Sequence, residues 1–292
     1  MKVLKKGTRV RHASKPEWGV GQVLVDANSQ DVRVFFDAVG EKTFGSGAFD
    51  KLGVVTGAEA NSPLLDNLAL PGLGKSQPML TMKQAKLRFL ELFPGGLQGK
   101  RAQEEEREYK DKLAELAQSL YAPDQLQKTL DAGRYDDIVH LAAQLIRAPG
   151  NNFPASFEKI KFADAIKTCA RQEAFARAFC GWVLPAQPKE DAFNSLASEL
   201  LSMGVAKWPI MTSWRFLLHP QTDALIKPEN LQKAAKVSCF EINYKPDLNW
   251  LTYWSVLQFY EHVRGQIGEL APKDMIDVQN FIWCIDQDQY PA

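Results

Sequence analysis

The sequence predicts an α+β chain, with a small N-terminal β-barrel followed by a larger all-α domain. Three observations carry this. Short alternating runs recur about every ten residues through residues 1–56. The apolar period changes to about 3.6 from residue 81 onward. Between them, residues 57–80 hold Gly, Pro, Ser and Asn but also Leu64, Leu65, Leu68, Leu70 and Leu73.

The strands read in order. Thr8-Arg9-Val10-Arg11-His12 alternates, and Val20-Gly21-Gln22-Val23-Leu24-Val25 is β-branched and half apolar. Asn28-Ser29-Gln30-Asp31 is a turn cluster leading into Asp31-Val32-Arg33-Val34-Phe35-Phe36. Val39-Gly40-Glu41 turns into Lys42-Thr43-Phe44, and Leu52-Gly53-Val54-Val55 closes the set. Five strands this short match an SH3-like or Tudor-like barrel, since a sandwich needs about a hundred residues. The leucines of 57–80 are costly to leave in water, so this segment is expected to strap the barrel to the helical body. The domain boundaries are then 1–56, 57–80 and 81–292.

Helices follow. Thr81 can cap a helix through Ala85, Phe89, Leu90 and Phe93, stopped by Pro94-Gly95-Gly96. The next, 101–120, opens on the charge run KRAQEEEREYKDK. Its Glu106–Lys110 and Glu108–Lys112 pairs have the favourable i,i+4 order, and the run reads as a solvated face. Further helices fit 123–131, 134–147, 158–181, 191–203, 229–238, 251–269 and 273–285. Gly133 and Gly204 stand where C-terminal caps belong and Pro228 at a first turn. No fixed-period repeat is visible.

Composition narrows the class. The 292 residues carry 35 Lys plus Arg against 35 Asp plus Glu, so any electrostatic role must be local. A hydrophobic fraction of 45% supports a sizeable core. No apolar run approaches a spanning helix and no secretory signal follows the basic start. Cys169, Cys180, Cys239 and Cys284 lack C-x-x-C spacing and read as reduced thiols of a cytoplasmic protein rather than zinc ligands. No phosphate-cradling glycine loop, nucleophile elbow or H-E-x-x-H appears, so no cofactor, metal or catalytic residue is assigned.

One stretch stands out. Within residues 1–25, Lys2, Lys5, Lys6, Arg9, Arg11 and Lys15 face only Glu17. They surround His12 and Trp18, and Gly19 and Gly21 free the backbone beside the indole. Aromatics among cations suit a phosphate backbone, a stacked base or an acidic protein patch, although Trp18 and His12 could equally pack the barrel rim. Residues 7–44, GTRVRHASKPEWGVGQVLVDANSQDVRVFFDAVGEKTF, resemble a small bacterial Tudor-like family of unknown function, found in short proteins and at UvrD-type helicase tails. The matching residues are Gly7, Val10, His12, Trp18, Gly19, Gly21, Val23, Val34 and Phe36. More distantly the stretch resembles the polymerase-interacting barrels of CarD-type regulators and of transcription-repair coupling factor. The resemblance implies docking on polymerase or on a nucleic-acid complex, without chemistry.

Residues 82–116, 207–259 and 272–283 resemble segments of uncharacterised bacterial proteins of the same domain order, with no activity implied. In the helical part Trp208, Thr212, His219, Lys227, Tyr244, Asn249, Trp250, Asp274 and Asp277, with Tyr253 and Gln279, are candidates to line a cleft. Asp274 and Asp277 share a helix face at i,i+3, but Asp274 also stands where a cap belongs. His219 stands at a helix end, where an imidazole bonds carbonyls. Trp208, Trp214, Trp250 and Trp254 read as core. The expected function is that of a non-enzymatic adaptor, docking through the barrel on a transcription, repair or other nucleic-acid-associated assembly. A protein partner is expected, direct nucleic-acid contact is the narrower version, and no membrane is involved. The alternatives are an enzyme or nuclease-like defence factor, with Asp274, Asp277, His219 and Lys227 in a cleft, and an oligomerisation protein.

Overall fold

The computed structural model describes residues 4–28, 30–66, 68, 82–238 and 240–285. The chain is α+β, with an antiparallel sheet followed by a predominantly helical part. The sheet comprises β1 (Arg9–His12), β2 (Gly21–Val23), β3 (Asp31–Phe36), β4 (Gly40–Gly45) and β5 (Leu52–Val54), in the order β4-β3-β2-β1-β5. Hence β1 to β4 form a meander and β5 returns beside β1, with Val10 opposite Val54 and His12 opposite Leu52.

Alternation sets which side chains meet. Val10, Val23, Val32, Val34, Phe36 and Phe44 join Leu4, Phe49 and Leu52 in one buried cluster. Around β2 the other side is covered as well, since Val20, Gln22 and Leu24 are buried, and in β3 Phe35 is buried while Arg33 is not. Arg9 ties the segment after the sheet to β1, donating to the Ala60 carbonyl at 3.2 Å and to Asp66 at 2.8 Å. That segment holds one helical turn, Pro63–Asp66, with Leu64 and Leu65 buried. Leu68 is half-buried and bridges Phe240. Leu70, Leu73, Thr81 and Cys239 lie outside the described residues.

Two compact units emerge. The first holds Met1–Leu92 with Gln232–Ile242 and Ile285–Ala292, the second Phe93–Leu231 with Asn243–Cys284. Helix α1 (Met82–Leu92) belongs to the first. In the second, α2 spans residues 100–120, and its middle, Gln103–Arg107, is a π-helical turn. There follow α3 (Pro123–Asp131), α4 (Tyr135–Arg147), α5 (Ser156–Lys167), α6 (Gln172–Val183), α7 (Glu190–Ser202), α8 (Trp208–Leu218), α9 (Pro228–Val237), of which residues 232–237 belong to the first unit, α10 (Trp250–Gln266) and α11 (Met275–Ile285). Gly133 closes α3 at φ 68°, and Arg134 N–H then reaches back to the Thr129 carbonyl, the left-handed ending that glycine permits.

Two expectations are corrected. The stretch expected as one helix over 158–181 is two, α5 and α6. At the break the Thr168 hydroxyl donates to the Asp164 and Ala165 carbonyls, competing with the helix's own bonds. The stretch 207–218, given no bounds among the expected helices although His219 is placed at a helix end, forms α8. Every residue from Trp208 to Leu217 is buried, so this helix has no polar face and no amphipathic period to detect.

Candidate functional site

The opening stretch carries two expectations, an exposed cationic and aromatic edge or aromatics that pack the rim, and the structure divides it. His12 is buried at 8% exposure and Trp18 half-buried against the sheet's apolar cluster. The indole lies 4.9 Å from the His12 ring, 5.3 Å from Phe36 and 6.3 Å from Phe44, centroid to centroid. His12 Nδ1 accepts the Ser14 N–H at 3.2 Å. Both aromatics therefore pack the sheet, as the plainer reading of them held. One ammonium, Lys42, stands 6.0 Å from the indole centroid.

The glycines also answer to the sheet. Gly19 has φ +75°, and a Cβ there would lie 1.9 Å from Asp37 Oδ1. The Asp37 carboxylate accepts from the backbone of Val20 and Ala38 and from Ser62, while burial raises its pKa. A Cβ at Gly21 would lie 2.7 Å from Phe36 and Val34. Both glycines are needed by neighbours inside this unit, with no need to invoke the approach of a partner.

The cations behave differently. Lys5, Lys6, Arg11 and Lys15 are exposed. Apart from a 3.7 Å contact between Lys15 and Glu17, none of the four makes an ion pair among the described residues. Arg9 is instead held by Asp66 and Ala60. Lys5 and Lys6 precede β1, Arg11 lies within it and Lys15 beyond it, so the exposed charges bracket one short strand.

The helical candidates scatter. Trp208 and Trp214 are core residues whose indole N–H groups donate to the carbonyls of Lys245 and Ala142. Thr212 donates to the Trp208 carbonyl and accepts the Ile226 N–H. Asn249 caps α10 by accepting the Thr252 N–H at 2.8 Å. Tyr244 is half-buried, and burial raises its pKa. Trp250 is half-buried and stacks on Trp254, which is 48% exposed, so Trp254 departs from the core reading. His219 Nε2 lies 2.7 Å from the Val183 carbonyl at the end of α6, the carbonyl-bonding role its position implied. Burial lowers the His219 pKa, and the Val183 carbonyl opposes this.

Asp274 and Asp277 do converge, but on an arginine. Arg107, in the π turn of α2, donates to Asp274 through two bonds of 2.8 and 2.7 Å and to Asp277 at 2.9 Å. Asp274 also accepts the Ile276 N–H at 2.9 Å, a capping role at the start of α11. Burial would depress Arg107, and the two carboxylates outweigh it and hold the guanidinium above its ordinary value. One turn on, Lys110 is 1% exposed and donates to Glu106, Gln279 and Asn280. Burial pushes its ammonium down to about 8, against the pull of Glu106. The charge run of α2 is thus no fully solvated face: Arg107 and Lys110 are core residues. Their partners lie about 170 positions away in sequence, where no local spacing shows them.

The molecule so defined has an N-terminal antiparallel sheet with exposed cations around β1 and a helical unit built on buried ion pairs. A family model described as "Protein of unknown function (DUF3553)" matches residues 4–50. No curated protein and no solved structure matches the chain. Among the described residues no helix is long and apolar enough to cross a membrane, and no three His, Cys, Asp or Glu side chains are grouped to hold a metal ion.

Proposed function

We propose that the chain is a docking protein whose N-terminal unit, read as a Tudor-like barrel, engages an acidic surface on a transcription, repair or other nucleic-acid-associated assembly. The observation that carries this reading is the set Lys5, Lys6, Arg11 and Lys15. Four exposed cations without strong partners cluster around one strand of a chain whose net charge is zero. Such charges add little to stability. They steer encounter with an acidic partner and set its orientation. Trp18 and His12 fix the loop between β1 and β2, so Arg11 and Lys15 are presented from a packed base.

The test is co-purification from the source cell with and without nuclease, using the full chain and a variant carrying Lys5→Glu, Lys6→Glu, Arg11→Glu and Lys15→Glu. The reading expects polymerase or repair subunits with the wild type, resistant to nuclease, and their loss with the variant at an unchanged unfolding midpoint. Equal recovery by both chains overturns it. Trp18→Ala is the poorer test, because removing an indole packed on Phe36 and His12 destabilises the unit itself.

A further inference from the structure

A cavity of about 450 Å³ opens beside the buried ion pairs of the helical unit. Its lining includes Glu106, Tyr109, Phe153, Lys227, Gln279 and Trp283. The size is that of a small-metabolite site. One wall is the π turn of α2, a distortion often found where a helix serves a site. Only Lys227 and Gln279 among these residues were sequence candidates.

The polar atoms of this lining are unequally occupied. Three of the acceptors already serve cations: Glu105, also in the lining, is held by Arg101 at 2.9 Å, Glu106 by Lys110 at 3.2 Å, and Gln279 Oε1 by Lys110 at 2.6 Å. Several donors serve nothing. Among the described residues the Tyr109 hydroxyl, the Gln279 amide nitrogen and the Trp283 indole N–H make no hydrogen bond. Lys227 Nζ spends one proton on the Asn152 carbonyl at 3.2 Å and lies 4.8 Å from the Trp283 ring centroid. An ammonium has three protons to donate, so Lys227 is the least committed cation of the lining. Unused donors beside one half-buried cation call for an acceptor carrying negative charge.

We propose that this cavity binds a small organic monoanion, a carboxylate whose charge sits on Lys227 and the neighbouring donors and whose apolar body lies against Phe153 and Trp283. The lining's other ammonium, Lys110, is already spent on Glu106, Gln279 and Asn280, so a single charge matches Lys227, and Glu105 and Glu106 in the same lining repel a dianion. The lining is made by the helical unit alone, so the inference does not rest on the docking reading. Burial lowers the Lys227 pKa, with Glu106 and Glu158 opposing, and a bound carboxylate restores the lost stabilisation of its charge.

The test is titration of benzoate into the full chain by calorimetry and saturation-transfer NMR, with benzamide and phenyl phosphate as the neutral and dianionic counterparts. The expected result is saturable benzoate binding, with benzamide and phenyl phosphate both weaker. Lys227→Met should weaken benzoate by about tenfold or more, the loss of one charge-assisted bond. Tyr109→Phe keeps the ring and should weaken it several-fold. Its folding, checked alongside, keeps the test decisive should Lys227→Met fail to fold. Absence of saturable benzoate binding overturns the proposal. So do equal or tighter binding of either counterpart and affinities unchanged in the folded variants.

Discussion

Asp223 is fully buried and serves three partners. Arg215 meets it through two bonds of 2.6 and 3.0 Å, Thr222 donates at 2.8 Å, and the Tyr253 hydroxyl donates as well. Arg215 spends its remaining protons on the carbonyls of Trp182, in the last turn of α6, and of Pro185 and Ala186 beyond it. One buried guanidinium thus closes a helix end that would otherwise leave carbonyls unpaired. Removing its counter-charge strands it, so Asp223→Asn should cost about 3–5 kcal/mol in urea unfolding. A second residue sets a pH limit. Burial holds His262 at about 4, below its ordinary 6.5. The folded state therefore favours the neutral ring. Its contribution is complete above pH 6.5 and lost as pH falls from there through about 4. The loss is on the order of 3 kcal/mol. Unfolding measured across that window should fall more steeply for the wild type than for His262→Leu.

At the scale of elements, α2 is fastened to α11 by charge. Arg107 faces Asp274 and Asp277 at 7% and 1% side-chain exposure, so Arg107→Met leaves two buried carboxylates unpaired. The expected cost is again about 3–5 kcal/mol, read as a lowered unfolding midpoint. Arg101→Met, whose partner Glu105 is about half exposed, should cost well under about 1 kcal/mol. The same helix shows what sequence could and could not yield. Alternation found β1 and β3, where buried and less buried residues take turns, whereas β2, buried throughout, was legible from its β-branched residues instead. Amphipathic period found most helices through the same contrast of burial. It failed at α8, where burial on every side leaves no contrast. It also misread α2, because i,i+4 spacing pairs Glu106 with Lys110 without telling whether that pair faces water or Asn280. Of the candidate cleft, Lys227 and Gln279 were legible as polar residues near aromatics. Tyr109 and Trp283 were not, since their unpaired donors become apparent only once the fold has placed their neighbours.

For the whole molecule, a neutral chain divides its charge between two uses. In the helical unit, arginines and lysines are buried against carboxylates and hold helices together. Around β1, four cations are left in water, where they do little for the fold, and the proposed docking role rests on them. The most direct test of that division is the association rate of the full chain with its purified partner, followed from about 50 to about 200 mM salt. The account predicts a wild-type on-rate that falls steeply with salt. It also predicts a slow, salt-insensitive one when Lys5, Lys6, Arg11 and Lys15 are reversed to glutamate. Identical on-rates and salt dependence for the two chains would contradict it.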